Sequence, residues 1–458
     1  MNSKAKGGEI LTPLLPELHP LAESTEIKDS GGGASFSSAV FNISTSIIGA
    51  GIMSIPATLR VLGVVPALFI MVAVGLLCDV SVEFLTRYSA AGESSATTSY
   101  SGLMAKSFGL VGSAGLQIFV ALTNLGSLIM YLIIIGDVLS GNRTEGEDHM
   151  GVLQEWFGEE WWTARSATIP ITVVVVMLPL VLLRRVDSLR FTSAVSILLA
   201  VIFVLISSGM AIYALFQGNI RNPRLLPDLH NQSFLQLFTA IPVIVVAFTF
   251  HFNVHPIRSE LSRVTDMKPA VRVSLILCTL IYATVGLSGY LLFGDDTMSD
   301  VLSNFDKSSA SPILDDAVRL SYALHLVLVF PLLFYSLRLN IDGLVFRNSQ
   351  QRPLTADAGR FLSLTAILLA LVYVAAIAIP NVWTVFQFIG STTAVGISLI
   401  FPGAVVLRDL YGISKSNDKL LAGIMIILAV ITSCIAIYSN IISLFDGELK
   451  SSPSVLAN

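Results

Sequence analysis

Charge is what this sequence has least of. Lys, Arg, Asp and Glu make up 13% of the 458 residues, about half the share usual in soluble domains. Two or three water-facing domains would need charged surfaces that this chain cannot supply. A disordered chain is excluded as well, because 54% of the residues are apolar and disorder needs low hydrophobicity. The formal net charge of −4 comes with no basic tract, so no nucleic-acid partner is expected. Cysteine is scarce. Cys78, Cys278 and Cys434 each lie inside an apolar stretch without a C-x-x-C neighbour, which indicates neither a disulfide framework nor a metal site. No nucleophile–base pair marks an enzyme, and no cofactor is implied. Gly49 and Gly51 are not a phosphate loop, since no strand precedes them and no Lys follows. Residues 1–35 are polar and rich in Pro, Gly and Glu. They read as a disordered tail without a cleavable signal peptide.

What is present is hydrocarbon in long runs. Apolar stretches of spanning length fall near 36–60, 64–88, 109–140, 166–184, 188–216, 234–257, 270–293, 315–338, 359–379, 383–407 and 419–445. They are too long for strands and do not alternate. The expected fold is an all-α polytopic membrane protein with about eleven transmembrane helices, about 20 residues each. Most of the 27 basic residues fall on the side that holds the N-terminus if that end is cytoplasmic. Basic residues collect in cytoplasmic loops, so the N-terminus is assigned to the cytoplasm and the C-terminus to the lumen. The acidic loop 141–165 falls on the lumenal side.

Two spans break the rules of a buried helix. In the first, Ile48-Gly49-Ala50-Gly51-Ile52-Met53-Ser54-Ile55-Pro56 puts two Gly and a Pro in one helix. Gly49 lies about 18 Å from the helix start, close to the midplane. In the sixth, Ala247-Phe248-Thr249-Phe250-His251-Phe252-Asn253-Val254-His255-Pro256 clusters polar residues before its proline. Freed backbone groups at that depth are tolerated where they line a cavity or bind something. Broken helices 1 and 6, five spans apart, point to five-plus-five inverted repeats around a midplane site, plus one extra helix. Repeat one would cover about 36–216 and repeat two about 234–407. The extra helix would be 419–445, within a transporter domain of 36–445, and 446–458 a C-terminal tail. A half-helix N-terminus suits a carboxylate, and unwound carbonyls and hydroxyls suit an ammonium group. A zwitterionic amino acid carries both.

These residues resemble the amino acid/auxin permease family of the amino acid–polyamine–organocation superfamily. Four stretches carry the likeness. They are Phe41-Asn42-Ile43-Ser44-Thr45-Ser46-Ile47-Ile48-Gly49-Ala50-Gly51-Ile52; Ala247-Phe248 and His251 with Val254, Pro256-Ile257 and Glu260-Leu261; Gly289-Tyr290-Leu291-Leu292-Phe293-Gly294 with Thr297, Asp300-Val301-Leu302 and Asn304; and Phe388-Ile389-Gly390-Ser391-Thr392-Thr393-Ala394 leading to Phe401-Pro402. Pro13-Leu14-Leu15-Pro16 and Met130-Tyr131 through Gly136-Asp137-Val138-Leu139 are similar to the sixth subgroup of plant amino acid vacuolar transporters. The resemblance implies secondary transport of amino acids across an endomembrane, with substrate held between the first and sixth helices. The loose acidic dileucine pattern of Glu9 with Leu14-Leu15 favours the vacuolar membrane. One departure bears on coupling. Sodium-coupled relatives carry Asn where this chain has Thr45, and a hydroxyl where it has the valines of His325-Leu326-Val327-Leu328-Val329-Phe330-Pro331. A valine methyl cannot ligate a hard cation. Proton coupling is therefore preferred to sodium. A sodium-coupled carrier and an amino acid sensor without net transport remain the alternatives.

The candidate substrate residues are Thr45, Ser46, Ile48, Gly49, Gly51, Asn124, Thr249, His251 and Asn253. Asn124 faces either the substrate or a neighbouring helix. The candidate proton carriers are His325, His251, Asp79, Glu83 and Glu260, because ionisable groups inside spans mark pathways. His325 lies about 14 Å into its helix. Asp79 and Glu83 stand one turn apart and repel, with Arg87 a turn further as a possible ion partner. Glu260 follows Pro256 near the inner gate, in reach of Arg258, Arg263 or the first helix. Gly51→Leu is expected to abolish uptake by filling the unwound site while the fold survives. His325→Ala is expected to change the pH dependence of uptake more than substrate choice. An unaltered pH profile in reconstituted vesicles would remove His325 from the proton path.

Overall fold

A computed structural model describes residues 34–92, 99–141, 149–183, 190–230, 233–307, 311–346, 354, 357–379 and 381–451. The tail of residues 1–33, with its dileucine pattern, and the turn at 184–187 lie outside the described residues. Among the described residues the secondary structure is helical apart from isolated bridges such as Ala34 with Leu261.

The eleven expected segments are all present. Span 1 is a bent pair, Phe36–Ile47 and Gly51–Leu62, whose halves meet at 61°. Spans 2 and 3 are Val64–Ala91 and Tyr100–Ser140. Span 4 is the shorter apolar helix Arg165–Val181, and span 5 is Val195–Gln217. Span 6 is Phe234–Glu260, span 7 Val264–Asp296 and span 8 Pro312–Val345. Spans 9, 10 and 11 are Ala358–Ala378, Val382–Arg408 and Ser416–Ile442. Span 3 begins nine residues earlier than its apolar run because its helix turns at Gly109, where φ is +67°. That positive φ is open to glycine without strain, so a short helix over 100–108 and the apolar span meet at a kink at Gly109. The last helix runs on to Ser451.

The outer surface shows what solvates the bundle. On span 2, Val65, Phe69, Val72 and Leu76 are exposed, while Ala67, Met71, Val74 and Cys78 on the opposite face are buried. A helix apolar all round faces lipid on one side and protein on the other. At the centre the Gly51–Leu62 half of span 1 is buried along nearly its whole length. It packs against spans 6 and 7, while span 8 packs against spans 3 and 5. Span 10 widens into π-helical turns at Gly390–Ala394 and Gly396–Ile400. A Cβ on Gly390 would sit 2.2 Å from the Pro242 carbonyl oxygen, so only glycine lets spans 10 and 6 approach this closely.

Gly51 fits the same pattern, which corrects one expectation. Its missing side chain does not face open substrate space. A Cβ there would stand 2.8 Å from Ala247 Cβ and 2.9 Å from Ala247 Cα, so Gly51 is the contact point between the two broken spans. Overpacking a tight contact costs about 1–3 kcal/mol or more. Gly51→Leu is accordingly expected to lower the thermal unfolding midpoint in detergent, with loss of uptake as a consequence. A variant that melts like the native protein yet fails to transport would restore the pocket-filling account.

Candidate functional site

The first break is short. The Phe36–Ile47 helix ends as Ile48 turns extended, at φ −75° and ψ 110°. Gly49 and Ala50 form the turn, and the second half-helix starts at Gly51 with no side chain capping its N-terminus. Ending a helix orphans its last carbonyls, and neighbouring spans supply donors. The Tyr282 hydroxyl on span 7 lies 2.7 Å from the Ile47 carbonyl oxygen. The Tyr322 hydroxyl on span 8 donates to the Gly49 oxygen at 2.7 Å. The Cys278 thiol reaches the Ser44 oxygen at 3.8 Å, a weak sulfur bond. Tyr131 on span 3 accepts the Ala50 amide. Its hydroxyl would lie 2.9 Å from a Cβ on Gly49, which is why that position has no side chain.

The second break mirrors the first. The helix Ala240–Ala247 stops, Phe248 to Phe250 are non-helical, and His251–Asn253 makes a 3₁₀ turn before Val254–Glu260 resumes. The Tyr282 hydroxyl that serves Ile47 also lies 2.8 Å from the Ala247 oxygen, so one phenol bridges both breaks with a single shared proton. The Cys78 thiol on span 2 reaches the Phe248 oxygen at 3.7 Å. Spans 2 and 7, five apart, thus play matching parts: a thiol of each closes on a carbonyl of the other broken span.

The candidate residues fall into groups. Thr249 and His251 are buried at the second break, but both are already engaged. The Thr249 hydroxyl bonds the Val245 oxygen at 2.7 Å and meets Ser398 of span 10 at 3.1 Å. His251 Nε2 meets Ser81 Oγ of span 2 at 2.6 Å. Its Nδ1 is buried with no partner among the described residues. His255 repeats this with Ser89 at 2.6 Å and stacks on Tyr100. Asn253 closes the 3₁₀ turn, its amide bonding the Phe250 oxygen at 2.9 Å. Ile48, Gly49 and Gly51 form the first break itself. Thr45 lies on an exposed face of the preceding helix with its hydroxyl 2.6 Å from the Phe41 oxygen. Ser46 bonds the Asn42 oxygen at 2.8 Å.

Asn124 is buried away from the breaks, where its amide donates to Ser336 of span 8 at 3.0 Å. Of its two readings, interhelical bonding is the one seen. Asp79 and Glu83 are each paired across to span 7, Asp79 with Arg272 at 3.1 Å and Glu83 with Lys268 at 2.8 Å. Cations spaced one turn apart match carboxylates spaced one turn apart. Arg87 is not their partner; it pairs with Asp418 at 3.0 Å. The Glu260 carbonyl takes the Ala34 amide at 2.7 Å, which ties the start of span 1 to the end of span 6. Arg263 pairs with Asp266 instead. His325 sits apart, its Nδ1 2.7 Å from the Ser196 carbonyl oxygen of span 5 and its ring 4.8 Å from that of Tyr322. A carbonyl only accepts, so Nδ1 carries a hydrogen. The buried Nε2, without a partner among the described residues, is the nitrogen left to take a proton.

Sequence reasoning missed Tyr131, Tyr282 and Tyr322. The signal available was a hydroxyl at mid-span in an otherwise apolar helix, since a buried phenol needs a partner.

Among the described residues, up to ten apolar spans and one shorter apolar helix form a bundle in which two broken helices meet at the centre, the layout of a membrane carrier. The comparisons make this specific. Residues 32–445 match the family model described as transmembrane amino acid transporter protein. The Arabidopsis thaliana protein named amino acid transporter AVT6C is 53% identical over 440 residues, which is 95% of this chain and 99% of that one. Amino acid transporter AVT6A of the same plant is 48% identical over 97% of this chain and 96% of its own. Among solved structures, MhsT in complex with L-phenylalanine shares the fold at TM-score 0.54 and 14% identity, over 90% of this chain and all of that one. The Eremococcus coleocola manganese transporter does so at 0.52 and 14%, over 95% and 93%. The chain belongs to the transmembrane amino acid transporter family, a class of carriers and not of enzymes.

Tyr282→Phe removes the proton shared by the Ile47 and Ala247 carbonyls. Leaving buried acceptors unsatisfied costs about 1–3 kcal/mol. The variant is expected to unfold at lower temperature and to lose most of its uptake. Native melting together with native uptake would show that the bridge is dispensable.

Proposed function

We propose that this protein moves amino acids across an endomembrane by alternating access, in symport or antiport with protons. The observation that carries the reading is the pair of facing breaks in spans 1 and 6, joined through Tyr282. The uncapped N-terminus at Gly51 suits the substrate carboxylate. The carbonyls of the unwound segments suit its ammonium group. The names of the Arabidopsis relatives support the substrate class. The two repeats would be 36–216 and 234–407, each contributing one broken span, with 419–445 added. The N-terminus is placed in the cytoplasm, the C-terminus in the lumen, and the vacuolar membrane is the favoured location. His251 shapes the site, and His325 Nε2 is the proposed proton acceptor at depth. Proton over sodium is supported by Thr45, whose hydroxyl is turned back onto its own helix, and by the methyls of Val327 and Val329, which offer no oxygen ligand.

The test is purified protein in sealed vesicles with labelled neutral amino acids. A pH gradient is expected to drive accumulation, and replacing sodium by choline to leave it intact. Binding without flux would make the protein a sensor. Flux that collapses in choline would make it sodium-coupled.

A further inference from the structure

The segment between spans 7 and 8 does something the breaks do not explain. Residues 294–307 fold into two 3₁₀ stretches laid across one end of the bundle. Val301, Leu302 and Phe305 are buried there, and Phe305 packs edge-on against Phe293 at 5.1 Å. The segment rests on the second half of span 1 and on spans 3 and 8. Ser54 of span 1 donates to its Ser299 oxygen at 2.6 Å. Asn304 braces it from within, accepting from the Met298 amide at 2.7 Å and donating to the Asp296 oxygen at 2.8 Å. Covering the second half of span 1 in this way, the segment is placed to act as a lid at that end of the bundle.

Inside the lid lies Asp300, 3% exposed. One carboxyl oxygen accepts the Leu302 amide at 3.1 Å. The other, Oδ2, is buried with no partner among the described residues. The cations near it are paired with other groups, although the Nε of Arg319 is buried without a partner among the described residues. Arg319 of span 8 pairs with Glu155 at 2.5 Å and also donates to the Met150 oxygen. Arg165 of span 4 is paired with Asp137 of span 3. His149 is paired with Asp306 of the lid at 2.8 Å, and Arg224 with Asp295 at 2.7 Å. A further titratable neighbour is Tyr322 on span 8, whose helix also carries the buried Asp315. The second half of span 1 offers the Ser54 hydroxyl at this contact.

We infer that Asp300 is the proton-binding group of this lid, and that a proton on Oδ2 holds the lid shut. The proposal rests on the transport reading above, because a lid has a role only in an alternating-access carrier. A proton from the water on the lid side forms the O–H bond as Asp300 is buried, and returns to that water when the lid lifts. Burial, with the Asp137 carboxylate adding to it, pushes the Asp300 carboxyl well above the usual carboxylate range, against the weaker pull of the Leu302 amide and Arg319. In the lifted lid Asp300 is hydrated and titrates in the ordinary range. The closed state therefore binds more protons. Acid favours closure, and closure is lost as pH rises from the ordinary carboxylate range towards the raised value. In a symporter, protonation from the lid side would then close the lid over loaded substrate.

The test places a reporter in the lid. Ser303→Cys, at a buried position, is labelled in vesicles with a membrane-impermeant maleimide and read by peptide mass spectrometry, which separates it from Cys434. Maleimide attacks the thiolate, so labelling at each pH is divided by that of the same cysteine in unfolded protein. This ratio is expected to rise at least about fivefold from pH 5 to pH 8, since one titrating group shifts an equilibrium by up to tenfold per pH unit. Adding Asp300→Asn, a permanent mimic of the protonated acid, is expected to keep the ratio low at both pH values. An equal ratio at pH 5 and 8 with Asp300 intact overturns the proposal, whether or not the Asp300→Asn protein folds. So does an Asp300→Asn variant that labels as strongly as its parent at pH 8. Proton-driven flux of the unmodified protein is measured alongside. Its absence would sink the coupling reading and leave the lid result to stand by itself.

Discussion

In hydrocarbon there is no water to take an unpaired amide or carbonyl, and the rest of this structure follows from that. A continuous helix satisfies the condition by itself. Spans 1 and 6 do not, and every element near the centre is arranged around their broken ends. Tyr282 exists at the one place where a hydroxyl reaches both Ile47 and Ala247. Tyr322 takes Gly49 and Tyr131 takes Ala50. The thiols of Cys278 and Cys78 approach the carbonyls of Ser44 and Phe248. Cys78 and Cys278 thus have a structural use at the two breaks.

This arrangement couples the two breaks mechanically. Gly51 touches the Ala247 backbone, and the shared phenol sits beside them. A shift of either half-helix therefore disturbs donors that serve the other. The far ends are tied too, since Ala34 pairs with Glu260 and Ser262. Packed contacts of this kind switch between discrete arrangements and do not deform smoothly.

The helices, roughly their number, and the two breaks were legible in the sequence because each is a one-dimensional signal. Apolar length marks a span, and Gly with Pro at mid-span marks an interruption. What side chains do across helices was not legible. Asn124 could face substrate or a helix, and only the position of Ser336 decides it. Asp79 and Glu83 looked like a repelling pair needing Arg87, because the matching Lys268 and Arg272 lie far along the chain. Gly51 looked like open space because a missing side chain does not say what stands where it would be. Asp300 was visible as part of a family-like stretch, yet its burial depends on how 294–307 folds back over the bundle.

The comparison with MhsT and the manganese transporter marks the limit of the fold as an argument. One was solved in complex with L-phenylalanine and the other is a manganese transporter, yet both share this chain's fold at similar TM-scores. A shared scaffold carries many cargoes. On the proposed reading the broken backbone supplies charge complementarity that any zwitterion can use, and it cannot choose among side chains. Discrimination has to come from groups that differ between such carriers at the same breaks. At the second break Thr249 is held to Ser398 and His251 to Ser81, both by bonds to other spans. Groups already bonded keep their shape when substrate enters. The proposed pocket is in that respect set before binding, and the hydrogen bonds that close the breaks are the same ones that hold it.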